Sequence, residues 1–130
     1  MHQLVFILLQ DQNNNFMDTK YFEKIRIFDG GMGQELLSKG LISKGTLWSA
    51  SALIEKEFHK LVIDAHISYI NAGADIIVTN NFSARKIRFI QNKVLDKFQY
   101  ANEQAGILAN KARENSKQNI LIAGSLPSQS

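Results

Sequence analysis

Apolar residues along the chain alternate between short continuous runs and longer segments with helical spacing. The runs at 25–28, 76–78 and 120–123 are rich in β-branched residues and predict strands at 25–29, 75–80 and 119–124. Between the runs, apolar residues recur every three or four positions and predict helices at about 53–72 and 95–116. A shorter helix at 34–39 would end at Gly40, because glycine suits the position after a helix.

Strands that alternate with helices in this way predict an α/β fold built from parallel βαβ units. Polar or glycine residues follow all three predicted strands at their carboxyl ends. In α/β folds this is the edge of the sheet at which ligands bind. The pattern therefore places a candidate site at the carboxyl ends of the strands.

Residues 1–20 differ from the rest of the chain. An apolar run at 4–9 has no preceding Lys or Arg and is followed by a polar stretch at 11–15. A secretory signal needs a basic start and a longer apolar region, so a signal peptide is the less favoured alternative. We expect a poorly ordered extension at 1–20 and a domain at 21–130.

Composition narrows the class of protein. The 130 residues are 45% hydrophobic and 21% charged, as in globular domains, which excludes a mainly disordered chain, a collagen and a coiled-coil rod. No apolar run approaches the roughly 20 residues that a membrane span needs. The chain has no cysteine, which excludes a disulfide scaffold, a thiolate zinc site and a cysteine nucleophile within it, and fits a reducing compartment.

The net charge of +3 raises the question of nucleic-acid binding. The one tight basic cluster is formed by Arg85, Lys86 and Arg88. Aromatic residues do not interleave with it as they do on RNA-binding sheets. The cluster is therefore interpreted as the solvated start of a helix, and no nucleic-acid partner is expected.

The sharpest local motif is Asp29-Gly30-Gly31-Met32-Gly33, directly after the first predicted strand. A glycine turn there exposes N–H groups that can bind a carboxylate or phosphate, and Asp29 can bind an ammonium group. Together they suit a zwitterion such as an amino acid. The alternative is a tight turn in which Asp29 caps the next helix. A dinucleotide site is excluded by spacing, because Leu36 stands where the third glycine should be.

Three further residues have candidate roles. His59 and His66 lie seven positions apart on one predicted helix, about 10 Å along its axis, which is too far to share a metal ion. Both are interpreted as helix histidines that are partly exposed or hydrogen-bonded. Trp48, the only tryptophan, lies in a predicted loop and is either a lid over the core or a wall of a ligand pocket.

Four blocks of the sequence resemble the N-terminal part of the homocysteine S-methyltransferase family, at 27–36, 47–50, 66–82 and 123–127. This family comprises zinc-dependent barrels and includes betaine–homocysteine methyltransferase and the homocysteine module of cobalamin-dependent methionine synthase. The resemblance implies the first three strands of a (β/α)8 TIM barrel, incomplete in this chain. It also implies cytoplasmic methionine biosynthesis, with homocysteine and a methyl donor as partners and no membrane.

The resemblance also implies roles for individual residues. Asp29 would bind the homocysteine ammonium group, and the turn that follows would bind its carboxylate. The whole set of implied substrate-binding residues is Asp29, Gly30, Gly31, Met32, Gly33, Glu35, Trp48, Thr79, Asn80, Gly124 and Ser125. The family's zinc is held by three later cysteines that this chain lacks. No catalytic residue and no bound metal are therefore expected here, and the isolated chain is expected to be inactive.

Three functions remain open on the sequence. The first is a fragment of a homocysteine S-methyltransferase, which transfers a methyl group to the homocysteine thiol to give methionine. The second is a non-catalytic small-molecule-binding or interaction module derived from that family. The third is an unrelated nucleotide- or phosphate-binding α/β domain. The sequence predicts neither the methyl donor nor the oligomeric state.

Overall fold

A computed structural model describes residues 6–10 and 18–126, which form a three-stranded sheet and five α-helices. Strand β1 spans Phe6–Gln10, β2 spans Ile76–Val78 and β3 spans Leu121–Leu126. The helices are α1 (Met32–Ser38), α2 (Ser51–Ile54), α3 (His59–Asn71), α4 (Lys86–Gln91) and α5 (Phe98–Ser116). Shorter 3-10 turns lie at Thr19–Glu23, Gly45–Ala50, Lys56–Phe58 and Leu95–Lys97.

Strands β2 and β3 pair in parallel, as the βαβ pattern predicts. Their register places Ile77 opposite Ile122 and Val78 opposite Ala123. Because side chains alternate along a strand, the two faces of the sheet carry different residues. One face packs Ile77, Ile122 and neighbouring residues of the sheet against helices α3 and α5. The other face carries Ile76, Leu121 and Ala123, with Tyr21 and Val78 packed against them.

Helices α3 and α5 form the largest helical contact in the core. Small residues on α5 allow this close approach, and its buried face consists of Ala101, Ala105, Leu108, Ala109 and Ala112. Both helices end where glycine or a left-handed residue stops them, at Gly73 (φ 108°) and Lys117 (φ 54°). The predicted stop of the first helix at Gly40 is confirmed, with φ at 102°.

The predicted first strand at 25–29 is reduced to a single parallel bridge between Phe28 and Ile76. The Asp29 N–H donates to the Ile76 carbonyl at 3.0 Å, and the Asp75 N–H donates to the Ile27 carbonyl at 2.8 Å. Ile25 is 95% exposed. Among the described residues, no strand pairs with the side of this segment that faces away from β2. Only the last residues of the segment are therefore hydrogen-bonded as in a sheet. The prediction of three parallel strands is therefore wrong in this respect.

The sequence did not predict strand β1, which lies within the expected extension at 1–20. It pairs antiparallel with β3, so that the sheet order is β1-β3-β2. Residues 1–5 and 11–17 of that extension lie outside the described residues. The pairing joins Phe6 to Leu126, 120 positions away, and such a distant partner leaves no local signal in the pattern.

The predicted helix at 53–72 is interrupted. Glu55 is extended (φ −87°, ψ 110°) and separates α2 from the turn that leads into α3. Two contacts stabilise the break: the Lys44 ammonium lies 2.8 Å from a Glu55 carboxylate oxygen, and the His59 ring bonds the Leu53 carbonyl at 2.8 Å.

The interpretation of the basic cluster as a helix start is confirmed, because α4 begins at Lys86.

Within 6–10 and 18–126, no helix combines the length and the apolar content needed to cross a membrane.

His66 is the most unusual group in the core. It lies on α3 with no exposed surface, and neither ring nitrogen has a hydrogen-bond partner among the described residues. Burial without a partner disfavours the charged imidazolium and lowers the pKa of His66 to about 4. The expectation that this histidine is partly exposed or hydrogen-bonded is therefore wrong for His66, whose ring is buried and neutral.

We predict that His66 destabilises the fold in acid. Its pKa is about 6.5 in the unfolded chain and about 4 in the folded chain, so between these values the unfolded chain binds more protons. Its contribution is fully present above pH 6.5 and is lost as the pH falls towards 4, at a cost of about 3 kcal/mol. The measurement is the free energy of unfolding from urea titrations at pH 7 and pH 4.

The variant His66→Leu isolates this effect, since carboxyl groups elsewhere in the chain also titrate in acid. The stability of His66→Leu relative to the original chain should rise by about 3 kcal/mol between pH 7 and pH 4. Ile70→Val, a change on the same buried face of α3 that removes no ionisable group, serves as the control and should show no such change. A pH-independent difference between His66→Leu and the original chain would contradict the prediction.

Candidate functional site

A pocket of about 230 Å³ opens at the carboxyl end of β2. Three segments meet there: the glycine turn after the Phe28 bridge, the loop that carries Trp48, and the residues that follow β2. Its lining consists of Asp29, Gly30, Met32, Gly33, Trp48, Ser49, Val78, Thr79, Asn80, Phe82 and Ser83. The candidate site is therefore at the edge of the sheet that the sequence predicts.

Asp29 is tied to β2 through both its backbone and its side chain. Its N–H donates to the Ile76 carbonyl at 3.0 Å, and its Oδ2 accepts a hydrogen bond from the Val78 N–H at 2.9 Å. The alternative that Asp29 caps the next helix is wrong, because Gly31 is the N-cap of α1 and no side chain bonds there. Asp29 instead accepts a hydrogen bond from Val78, the last residue of β2, and lines the pocket.

The environment of Asp29 makes its carboxylate unusually basic. Partial burial is the main cause and raises the pKa of Asp29 to about 6, while the hydrogen bond from Val78 acts in the opposite direction. No cation from the described part of the chain is among the causes of this shift. A partly buried carboxylate in such surroundings is electrostatically suited to a positively charged ligand group.

The glycine turn allows two aromatic rings to approach the backbone closely. The Tyr69 hydroxyl donates to the Gly31 carbonyl at 3.2 Å, and a Cβ on Gly30 would lie 3.1 Å from the Tyr69 ring. A Cβ on Gly33 would lie 2.1 Å from Nε1 of Trp48. Glycine at position 33 is thus a steric requirement for the observed position of the indole.

Trp48 has a strained backbone at the pocket. Its φ of 53° and ψ of −129° are rare for a residue with a side chain, and its side chain is 42% exposed. The adjacent Ser49 is hydrogen-bonded to the segment after β2. Its carbonyl accepts a hydrogen bond from the Asn80 amide at 3.1 Å, and its hydroxyl lies 3.2 Å from the Ser83 hydroxyl. Such strain is characteristic of functional sites, where the surroundings hold it. Of the two interpretations of Trp48, a pocket wall is the one that this position supports.

A second network joins the ends of β2 and β3 beside the pocket. The Thr79 hydroxyl donates to Asn81 Oδ1 at 2.7 Å and accepts from the Ser125 N–H at 3.1 Å. The Asn81 amide nitrogen donates to the Ser125 carbonyl at 2.9 Å and to Asn102 Oδ1 of α5 at 3.1 Å. The hydroxyl proton of Thr79 is therefore already donated in a hydrogen bond within the protein.

The structure brings most, but not all, of the expected site residues together. Those that line the pocket are Asp29, Gly30, Met32, Gly33, Trp48, Thr79 and Asn80. Gly31, Glu35, Gly124 and Ser125 are not among its lining residues. Glu35 instead lies 3.3 Å from the Lys39 ammonium, and Ser125 is 2% exposed.

Sequence reasoning missed four lining residues, Ser49, Val78, Phe82 and Ser83. Ser49 and the segment 78–83 adjoin expected site residues, so proximity along the chain was the available signal. Asn102, which helps to hold the strand ends together, had no such signal, because it lies within α5 and far along the chain from every expected site residue.

The residues of this chain do not fit the zinc that the resemblance implies. The sequence contains no cysteine. Within the described ranges no three His, Asp or Glu side chains lie close enough to hold a metal ion. Zinc in proteins is bound by several Cys, His, Asp or Glu side chains that converge on one point, and the described residues contain no such group.

Comparison with known proteins gives one consistent result. The family model described as homocysteine S-methyltransferase matches residues 26–130. The homocysteine S-methyltransferase of Escherichia coli (strain K12) is 32% identical over 78 residues, which are 60% of this chain and 24% of that protein. Homocysteine S-methyltransferase 1 of Zea mays is 36% identical over 64 residues, or 49% of this chain and 19% of that protein. The chain thus spans about a quarter or less of these relatives' length.

A solved structure agrees with the sequence comparisons. The homocysteine methyltransferase MmuM from Escherichia coli, in its metallated form, superposes with a TM-score of 0.67 at 29% identity. The superposition covers 82% of this chain and 39% of that one. Strand β1 precedes the region that the family model matches.

We predict that Gly33→Ala displaces Trp48, whereas Gly31→Ala does not. The added methyl group would overlap the indole at position 33, but at Gly31 a Cβ meets nothing within 4 Å. Trp48 is the only tryptophan, so intrinsic fluorescence reports its environment directly. Gly33→Ala should shift the emission maximum, and Gly31→Ala should leave it unchanged. Identical spectra for both variants would show that the indole does not lie on Gly33.

Proposed function

Because the chain belongs to the homocysteine S-methyltransferase family, we propose that its pocket binds the amino-acid part of homocysteine. The chain would supply the N-terminal strands of a (β/α)8 barrel that transfers a methyl group to the homocysteine thiol to give methionine. The family match also makes the third possibility, an unrelated nucleotide-binding domain, wrong. The observation that carries the proposal is the carboxylate of Asp29, which lines the pocket, where the described lining residues include no cationic side chain.

The two ends of the amino acid would meet different groups. The homocysteine ammonium would donate to the Asp29 carboxylate, of which the Val78 N–H engages Oδ2. The homocysteine carboxylate would accept from N–H groups of the glycine turn, where no side chain caps the start of α1. A charge-assisted hydrogen bond of this kind contributes about 1.5–3 kcal/mol.

The remaining walls suit the sulfur-bearing side chain of homocysteine. Trp48 and Phe82 line the pocket and are 42% and 47% exposed, so both present apolar surface to a ligand. Asn80 lines it as well but is 4% exposed, and its amide nitrogen already bonds the Ser49 carbonyl. We therefore assign Asn80 to shaping the pocket, and Trp48 and Phe82 to contact with the side chain.

In this proposal the chain binds and orients homocysteine and performs no chemical step by itself. The zinc chemistry that the resemblance implies needs cysteines that this sequence does not contain. Gly124 and Ser125, which the resemblance places in the pocket, would support it indirectly, since Ser125 bonds Thr79. The substrate-binding role of Glu35 would require it to leave Lys39.

Calorimetric titration with homocysteine tests the binding site. Asp29→Asn removes the negative charge but keeps the size of the side chain, and we expect affinity to fall roughly tenfold to a hundredfold. The matched control is Asp96→Asn, because Asp96 lies beside Lys97 outside the pocket and is exposed. Equal affinity of Asp29→Asn and Asp96→Asn for homocysteine would overturn the assignment of Asp29.

We predict no methyl transfer by the purified 130-residue chain. In the presence of zinc and homocysteine, neither betaine, S-methylmethionine nor methyltetrahydrofolate should give methionine, because no thiolate ligands are available to hold the metal. Chromatographic detection of methionine is the measurement, with a full-length family member as the positive control. Methionine formation that scales with the amount of chain would contradict this prediction.

A further inference from the structure

The loop that carries Trp48 is hydrogen-bonded to other segments both before and after this residue. After it, Ser49 contacts Asn80 and Ser83, which line the pocket themselves. Before it, the loop is hydrogen-bonded to the end of α4, whose residues are not among those that line the pocket. Residues outside the pocket therefore contribute to the position of Trp48.

The side chain of Asn92, at the end of α4, makes most of the contacts before Trp48. Its amide nitrogen donates to the Thr46 hydroxyl at 2.7 Å and to the Arg88 carbonyl at 2.7 Å. Its Oδ1 accepts from the Thr46 N–H at 3.4 Å. The Arg88 guanidinium donates to the Thr46 carbonyl. Thr46 thus has its N–H, its carbonyl and its hydroxyl all hydrogen-bonded to the end of α4.

Gly45 permits this close approach between the loop and Asn92. Its φ of 53° lies in the region that favours glycine, and a Cβ there would lie 2.1 Å from Asn92 Oδ1. The Asn92 amide could not turn away from such a Cβ without losing its hydrogen bonds to Thr46 and Arg88. The glycine at position 45 and the amide at position 92 therefore fit each other.

Helix α4 is itself anchored in the core. Phe89 has no exposed surface, and its ring packs edge-to-face on Phe98 with the ring centres 5.5 Å apart. Leu47, which follows Thr46, is buried in the same cluster. The rare φ and ψ of Trp48 need such surroundings, because a strained residue persists only where its neighbours fix its conformation.

We propose that Asn92 is a positioning residue of the pocket: through Thr46 it fixes the loop so that the Trp48 indole stays against Gly33. An amide is required at position 92, because it donates to the Thr46 hydroxyl and also accepts from the Thr46 N–H, whereas a carboxylate only accepts. The effect on binding rests on the proposed function, in which Trp48 contacts the homocysteine side chain. Homocysteine then binds more weakly when the Asn92 contacts are lost, although Asn92 does not touch it.

Two variants remove the same hydrogen bond from opposite ends. Asn92→Asp keeps the size of the side chain but removes the donor, and Thr46→Val keeps the shape but removes the hydroxyl. Both should shift the fluorescence emission maximum of Trp48 in the same direction as Gly33→Ala does. Calorimetric titration should show homocysteine affinity about threefold to tenfold lower in both, as for the loss of one neutral hydrogen bond.

Two controls separate positioning from a general effect on the fold. Thr46→Ser keeps the hydroxyl and should retain both the emission maximum and the affinity of the original chain. Gln91→Glu adds a negative charge at an exposed neighbouring position and should also change neither. The emission maximum is read on the folded chain, so a loss of stability alone does not move it.

An unchanged emission maximum in either Asn92→Asp or Thr46→Val would overturn the proposal. A shifted maximum with unchanged homocysteine affinity would overturn it as well, because the loop would then not position Trp48 for binding. If Asn92→Asp does not fold, Thr46→Val at its exposed position decides. Failure of the original chain to bind homocysteine would instead contradict the proposed function, and the emission maximum alone would then decide whether Asn92 positions Trp48.

Discussion

The hydrogen bond between the Val78 N–H and Asp29 Oδ2 fixes the geometry on which the pocket depends. Together with the backbone bond from Asp29 to Ile76, it holds the glycine turn against the end of β2 although the segment 25–29 forms only one bridge. This anchor has an electrostatic cost, because partial burial raises the pKa of the same carboxyl to about 6. A cationic ligand group would remove that cost, so one side chain links the stability of the turn to binding.

A sheet of so few strands leaves an apolar face and free edges. Residues near the N-terminus, namely Tyr21 and strand β1, cover part of both. Tyr21 packs against the face formed by Ile76, Leu121 and Ala123, and β1 pairs with the free edge of β3. Arg26 reinforces this cover, since its guanidinium lies 3.9 Å from the centre of the Tyr21 ring and bonds the Tyr21 carbonyl. Ile25, next to Arg26 in the chain, stays 95% exposed.

The sequence pattern predicted those features that depend on neighbouring residues. The parallel β2–β3 pair, the long helix α5 and the stop at Gly40 all follow from local periodicity and glycine chemistry. Asp29 and Trp48 were found because a carboxylate beside a glycine turn and a tryptophan in a loop are conspicuous. What the pattern missed depends on distant partners: β1 needs β3, and the break at Glu55 needs Lys44. Ser125 was expected in the pocket, but its N–H and carbonyl bond Thr79 and Asn81.

The most direct test of the account is the titration of the Asp29 carboxyl by carbon-13 NMR, with and without saturating homocysteine. In the free chain the pKa of Asp29 should be near 6, as burial dictates. An ammonium group bound to the carboxylate favours its charged form, so homocysteine should lower this pKa, and binding should weaken as the pH falls through 6. A pKa of Asp29 that stays the same when homocysteine is bound would contradict the central claim that this carboxylate receives the amino group.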